Sequence, residues 1–290
     1  MDLSKAVGFR SPDQKVAYNR RDLILYALSI GATDAPFSCE LDTRFGAFPT
    51  YALVLPLKGV HHDVNSYAEQ MKDAFDIPGL PKIDFNRLVH GDQSIELFAP
   101  LPKDGGTFTL KNTLIGVYDA GKGMVTEKEA LLVDARGTPL VRMGPKRPKP
   151  ARDVAIPERV ANFVESVVLS KEQALLYRLS GDYNPLHADP SIGKKIGMKG
   201  AILHGLCTFG HAAAAILRHV AQNDASRFKS IRGQFAAPVY PGDTLSTHIW
   251  VVETGGEETV VAYVSKVGEK VVIAKGVCVL KGAGVSAAKL

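Results

Sequence analysis

HGLCTFGHAAAAILRHVAQ, residues 204–222, opens on a His-Gly pair and continues for about four turns of helix-forming, largely apolar residues. A second His-Gly pair stands at His90-Gly91, but the chain beyond it differs. From His204 to Pro238 the chain runs 34 residues, whereas His90 reaches Pro100 in ten, room only for a strand such as QSIELF. The flanking segments otherwise repeat. RDLILYALSIG (21–31) resembles KEQALLYRLSG (171–181), with Tyr26, Leu28 and Ser29 matching Tyr177, Leu179 and Ser180 at a constant offset of 151. Both predict helices: Ser170 with Gln173, and Asn19 with Asp22, offer capping-box starts, while Gly31 and Gly181 supply the stops.

Further on, PLPKDGGT (100–107) echoes PVYPGDT (238–244), and each leads into alternating apolar runs separated by turn residues. The second half gives TLSTHIWVVE, ETVVAYVSKV and KVVIAKGVCVL; the first gives TFTLKNTLIGVY, MVTEKEALLV and TPLVRM. The order of elements is therefore the same twice, an α+β unit in tandem. A sheet without its helix leaves an apolar groove. The 63 residues between Tyr26 and His90, against 26 between Tyr177 and His204, fill that groove only in part.

Length and composition bound the rest. At 290 residues, 46% hydrophobic and 22% charged, the chain suits two ordinary globular domains. No apolar run approaches the roughly 18 residues of a membrane span, and MDLSKAVGFR lacks the apolar stretch of a signal peptide. Membrane insertion is not expected. Cys39, Cys207 and Cys278 are odd in number and far apart, which argues against a disulfide framework or a thiolate metal site. Residues 142–157 hold five Lys or Arg against one Asp, or +4 of the net charge of +5, together with four prolines. Lacking interleaved aromatic residues, this stretch reads as a stiff, solvated connection rather than a nucleic-acid surface. The expected division is a first repeat over 1–144, a linker over 145–157 and a second repeat over 158–287. The final Ala288, Lys289 and Leu290 resemble the S-K-L address read by the peroxisomal import receptor.

Within the second repeat, YRLSGDYNPLHADP (177–190) gathers Asp182, Asn184 and His187 on a turn-rich stretch. Asn184-Pro185 keeps residue 184 out of the α region, so the three side chains can face a common point. The plain alternative is that Asp182 and Asn184 cap backbone groups and His187 is a surface histidine. Gly205 stands at the entrance to the apolar helix, where backbone N–H groups are unpaired and the dipole favours negative charge; close helix packing would equally account for it. A carboxylate, an imidazole and such a donor form a kit for adding or removing water beside a carbonyl.

YRLSGDYNPLHADP followed by GAILHGLCTFG resembles the MaoC-like hydratase 2 family, the (3R)-specific 2-enoyl-CoA hydratases, and the likeness extends from GFRSP through LVHGDQSIELFAPLP to SRFKSIRGQFAAPVYPGDTL. The resemblance implies a double hot dog fold, two antiparallel sheets each wrapping a central helix, the first copy having lost its helix to make room for acyl chains. Asp182 and His187 would be the catalytic pair, Asn184 the residue that helps hold the water, and Gly205 the oxyanion donor. Substrate contacts would fall on His90, Gly91, Tyr183, Pro185, Leu186 and Phe235. A family lysine lands on Ala120, with Lys122 two residues on as its nearest substitute. The resemblance implies an acyl-CoA thioester substrate, a homodimer, no cofactor and no metal. It also accounts for a single site, because the positions 151 residues before Asp182 and His187 are Gly31 and Pro36, neither able to exchange a proton.

GVYDAGKG (116–123) nearly matches a P-loop, yet Gly123 stands where Ser or Thr must reach magnesium, and a hairpin turn is the simpler expectation. His61-His62-Asp63 reads as solvated, and His211 and His219 as packing or surface residues of the long helix. Three functions are compatible with these features: a hydro-lyase acting on trans-2-enoyl-CoA in peroxisomal fatty-acid oxidation, a hot dog thioesterase, or a non-catalytic acyl-CoA or sterol carrier.

Overall fold

A computed structural model describes residues 3–71, 76–82, 88–121, 123–145 and 154–282. Ten strands form a single antiparallel sheet: β1 Gln14–Tyr18, β2 Asp92–Leu97, β3 Gly106–Asp119, β4 Met124–Val133, β5 Pro139–Gly144, β6 Phe163–Val168, β7 Phe228–Phe235, β8 Thr244–Glu253, β9 Glu258–Val267 and β10 Lys270–Lys281. Their order is β1-β3-β4-β5-β2-β7-β10-β9-β8-β6. Strands β1 to β5 and β6 to β10 thus adopt one pattern twice, joined where β2 pairs with β7 from Asp92↔Gln234 to Glu96↔Ser230. This is a double hot dog.

The helices are α1 Leu3–Ala6, α2 Arg20–Ser29, α3 Ala35–Ser38, α4 Leu55–Lys58, α5 Tyr67–Met71, α6 Gln173–Arg178, α7 Pro190–Lys195 and α8 Gly205–Ala221. Among the described residues only α8 is long. Phe209, Ile216 and Leu217 are completely buried on it, each worth about 1.5–3 kcal/mol of removal from water, and Ala212 to Ala215 keep it slim enough to lie under the sheet. Gly210 allows closer approach still: a Cβ there would fall 2.5 Å from Ile30 Cγ2, just past the end of α2.

The first repeat has no counterpart of α8 among the described residues. Gly91 leads straight into β2, and the 3-10 turn Pro49–Val54, with Phe45 and Phe48, supplies part of the missing packing. The filling is incomplete. Residues 126–131 of β4 are all only half-buried, whereas the corresponding part of β9, residues 261–265, is buried throughout.

The six strands expected around the hairpin turns form where the alternating pattern placed them, and GVYDAGKG spans the turn between β3 and β4 with Ala120 N–H bonded to the Gly123 carbonyl at 2.9 Å. The Asn19–Asp22 capping box is present. Its expected twin is not. Helix α6 starts only at Gln173, with Glu172 before it and no side-chain cap, because the Gln173 amide donates instead to the Ser29 carbonyl of the first repeat at 2.6 Å. Strands β1, β6 and β7 were not anticipated. Part of the basic connection also departs from expectation: Val154 and Ile156 pack on a cluster of Trp250, Ala262 and Val264, while residues 146–153 lie outside the described residues. All three cysteines are free.

His211, in the middle of α8, is buried with no partner for Nε2 among the described residues, and burial, then the Arg218 charge, lowers its pKa to about 4. Above pH 6.5 it is neutral folded or unfolded and contributes nothing to pH dependence. Between about 6.5 and 4 the unfolded chain takes up a proton that the native state refuses, so stability falls as pH drops through that window. Denaturant unfolding of His211→Leu at pH 7 and pH 5 is therefore expected to show an acid loss smaller than that of the unsubstituted chain by about 2 kcal/mol.

Candidate active site

The polar loop begins at Gly181, whose φ of +130° is a conformation that a side chain would strain. A Cβ at Gly181 would also fall 2.8 Å from the Lys58 Cα, so this glycine seats the loop directly on α4 of the first repeat. Lys58 is itself immobilised there, donating to the carbonyls of Ala17 and His61 at 2.9 and 2.7 Å and lying 3.3 Å from Asp22.

From that seat the loop folds by its own side chains. The Asp182 carboxylate accepts from Asn184 N–H at 3.2 Å, and the Asn184 amide oxygen accepts from Leu186 N–H at 3.0 Å. Both residues thus do cap backbone groups, with part of each head left over. Pro185 keeps Asn184 out of the α region, at φ −53° and ψ 120°, and opens a single 3-10 turn, Pro185–His187. His187 Nδ1 lies 2.8 Å from the Ile202 carbonyl. Since a carbonyl only accepts, Nδ1 carries the proton and Nε2 keeps a basic lone pair. Burial pushes the His187 pKa below its ordinary value, against the opposing pull of the Asp182 charge, so the ring is neutral near pH 7.

His204 closes the group. It is buried at 1% exposure, its ring stacks on His187 with centroids 3.7 Å apart, and its Nε2 lies 3.2 Å from the Asp182 main-chain carbonyl. An oxygen of Asp182 and one ring nitrogen each of His187 and His204 all lie within 4.8 Å of one another. Two hydrogen bonds of about 2.8 Å meeting at a tetrahedral angle span about 4.6 Å, so one water fits between carboxylate and imidazole. A cation fits less well. Stacked rings aim their lone pairs side by side rather than at one point.

Gly205 follows His204 as the first residue of α8, where first-turn N–H groups have no partner within the helix. A Cβ on it would fall 3.1 Å from the Phe235 ring. Phe235 in turn packs against the His90 ring at 4.8 Å, and its N–H donates to the Gly91 carbonyl at 2.8 Å. Gly91 itself borders open space. The β2–β7 junction thereby carries His90, Gly91 and Phe235 to the mouth of α8. A cleft of about 500 Å³ opens beside His187, bordered by Lys171, Ala174, Lys199, Ala201 and Tyr240.

Not every expected contact gathers here. Tyr183 is buried, with the Arg178 guanidinium 5.0 Å over its ring, and borders a separate small cavity with Asp22, Lys58 and Asn65. Neighbours on an extended chain point opposite ways, so turning Asp182 and Asn184 inward turns Tyr183 into the joint between the repeats. Pro185 is exposed, Leu186 half-buried, and Lys122 lies outside the described residues. Two residues went unread as site members. His204 carries a signal in its place directly before Gly205; Tyr67, whose hydroxyl accepts from Asn184 Nδ2 at 3.2 Å, stands 117 residues from its partner and carries none.

The family model described as "MaoC like domain" matches residues 153–280, and "MFE-2 hydratase 2 N-terminal domain" matches residues 16–143. The peroxisomal enoyl-CoA hydratase 2 of Arabidopsis thaliana is 35% identical over 91% of this chain and 90% of its own length. The chain belongs to the MaoC-like hydratase 2 family. The peroxisomal multifunctional enzyme type 2 of Mus musculus is 36% identical over 84% of this chain, which spans 34% of that enzyme. The crystal structure of a MaoC-like dehydratase from Phytophthora capsici, 36% identical, superposes with a TM-score of 0.87 and covers 97% of this chain and 98% of its own.

In this family member a methyl group at Gly205 meets the Phe235 ring and displaces it towards His90. Gly205→Ala is accordingly expected to lower steady-state turnover of an enoyl thioester by at least about tenfold while the folded secondary structure, followed by circular dichroism, is retained.

Proposed function

We propose that the chain is a hydro-lyase that interconverts trans-2-enoyl-CoA and (3R)-3-hydroxyacyl-CoA in peroxisomal fatty-acid β-oxidation. The observation that carries the reading is the convergence, within 4.8 Å of one another, of an Asp182 oxygen and ring nitrogens of His187 and His204, the last directly preceding the open start of α8. One water held between the two adds its oxygen to Cβ of the enoyl group, and a proton reaches Cα. Asp182 and His187 are the acid–base pair for that exchange, worth roughly 10² to 10⁴ in rate. Asn184 helps hold the water with the amide hydrogen that Tyr67 does not take. As charge moves onto the thioester oxygen, Gly205 N–H donates a hydrogen bond to it; losing such a donor costs about 10² to 10³.

The two repeats divide the substrate. The acyl tail runs beneath the first repeat, whose β4 is only half-covered for want of a central helix. Lys171 and Lys199 bring positive charge to the cleft beside His187, suited to the phosphates of CoA. His90, Gly91 and Phe235 wall the passage between the two. Peroxisomal residence is supported by the names of the mouse and Arabidopsis relatives. Assembly as a homodimer is supported by the exposed Val164 and Val168 on the sheet's edge strand β6. No helix of the described residues is long and apolar enough to cross a membrane.

Asp182→Asn and His187→Gln are each expected to lower hydration of crotonyl-CoA by at least about 10² with the protein still folded. Near-normal turnover from either variant defeats the assignment. Chiral analysis of the product is expected to give the (3R) alcohol; release of free CoA thiol in its place would make the protein a thioesterase.

A further inference from the structure

The polar loop belongs to the second repeat, yet one of its side chains is held by the first. The Asn184 amide oxygen is committed to Leu186 N–H, which fixes the amide's orientation and makes its nitrogen the donor to Tyr67 Oη at 3.2 Å. The phenol is therefore an acceptor in this bond. Tyr67 opens α5, and Gln70 on the same short helix anchors it: the Gln70 amide donates to the Leu57 carbonyl and to Asn65, and reaches the Gly181 carbonyl at 3.5 Å. Helix α5 thus spans the polar loop from its first residue to its asparagine. Burial, then the Asp182 charge, pushes the Tyr67 pKa up to about 12, so the hydroxyl stays protonated across the working pH range and lies within electrostatic reach of the carboxylate.

We propose that Tyr67 is a positioning residue of the hydration site, contributed by the non-catalytic repeat, which holds the Asn184 amide so that its remaining hydrogen faces the water between Asp182 and His187. Two of the four hydrogen-bonding positions of the Asn184 head are then occupied by Leu186 and Tyr67, and rotation of the amide about its last torsion would break both bonds. The water meets a fixed donor rather than a rotor, an advantage in orienting the attack rather than in binding the thioester. The first repeat accordingly does more than shelter an acyl tail: it sets the aim of the chemistry.

This inference rests on the hydratase reading, and steady-state kinetics on crotonyl-CoA separate the two. Tyr67→Phe removes one hydroxyl and keeps the ring. It is expected to lower kcat about five- to tenfold, the loss of one neutral hydrogen bond, with KM within about twofold and the thermal midpoint unchanged. In an Asn184→Ala background the same substitution is expected to change kcat by less than about twofold, because there is no amide left to aim. A Tyr67→Phe protein with full kcat, or losses from Tyr67→Phe and Asn184→Ala that multiply, overturns the proposal. A raised KM with a lowered thermal midpoint and intact kcat does so as well, since that is the mark of a merely structural contact. Asp182→Asn, run in parallel, tells which idea has failed: if it keeps turnover the hydratase reading falls, and if it is inactive while Tyr67→Phe is fully active only the role of Tyr67 falls.

Discussion

The antiparallel pairing of β2 with β7 is the contact on which the rest of the molecule depends. Each repeat alone is a five-stranded sheet with an inner edge whose N–H and C=O groups want partners. Joining the two inner edges satisfies both and leaves only β1 and β6 as outer edges. It also sets the register that brings Gly91 and His90, at the foot of β2, against Phe235 at the end of β7, and so beside Gly205. A slip of one residue along this seam would turn Phe235 to the other face, away from Gly205 and His90.

Duplication with the loss of one helix explains why the halves differ in chemistry as well as in packing. Helices α2 and α6 still lie together at the pseudo-symmetric centre, with Tyr26 and Tyr177 rings 6.0 Å apart and Gln173 bonded across to Ser29. Past them the copies part. Gly31 and Pro36 occupy the places of Asp182 and His187, so the first repeat has no group that can carry a proton there. Without a counterpart of α8 among its described residues, it presents no long-helix N-terminus to the seam either. What it keeps is a half-covered sheet and a set of contacts onto the polar loop, from Lys58 beneath Gly181 to Tyr67 on Asn184.

Much of this was legible in the sequence. Six strands are β-rich runs set off by Gly turns, cleaner in the second repeat than in the first, and α8 is long, apolar and missing its twin among the described residues. The strands that escaped notice are short or polar for physical reasons. Strand β1 has five residues, while β7, FKSIRGQF, interrupts the buried Phe228 and Ile231 with Lys229, Arg232 and Gln234, which stay partly or wholly exposed and break the apolar pattern. The Ser170–Gln173 box failed as a local rule because a tertiary partner claimed the glutamine, a competition no window of sequence reveals. The Asp182, Asn184 and His187 cluster was visible as a motif, but its support was not. His204 stacks under His187 from 17 positions away, and Tyr67 reaches Asn184 from another repeat.

The central claim is that the thioester lies with its carbonyl oxygen at the start of α8 and its unsaturated carbons beside Asp182 and His187. A crystal structure of the Asp182→Asn protein with trans-2-enoyl-CoA bound tests it most directly. The account expects the thioester oxygen about 3 Å from Gly205 N, the Cβ facing His187, and the tail leading under β4. A thioester seated on the outer face of the sheet, or with its oxygen turned away from Gly205, would contradict it.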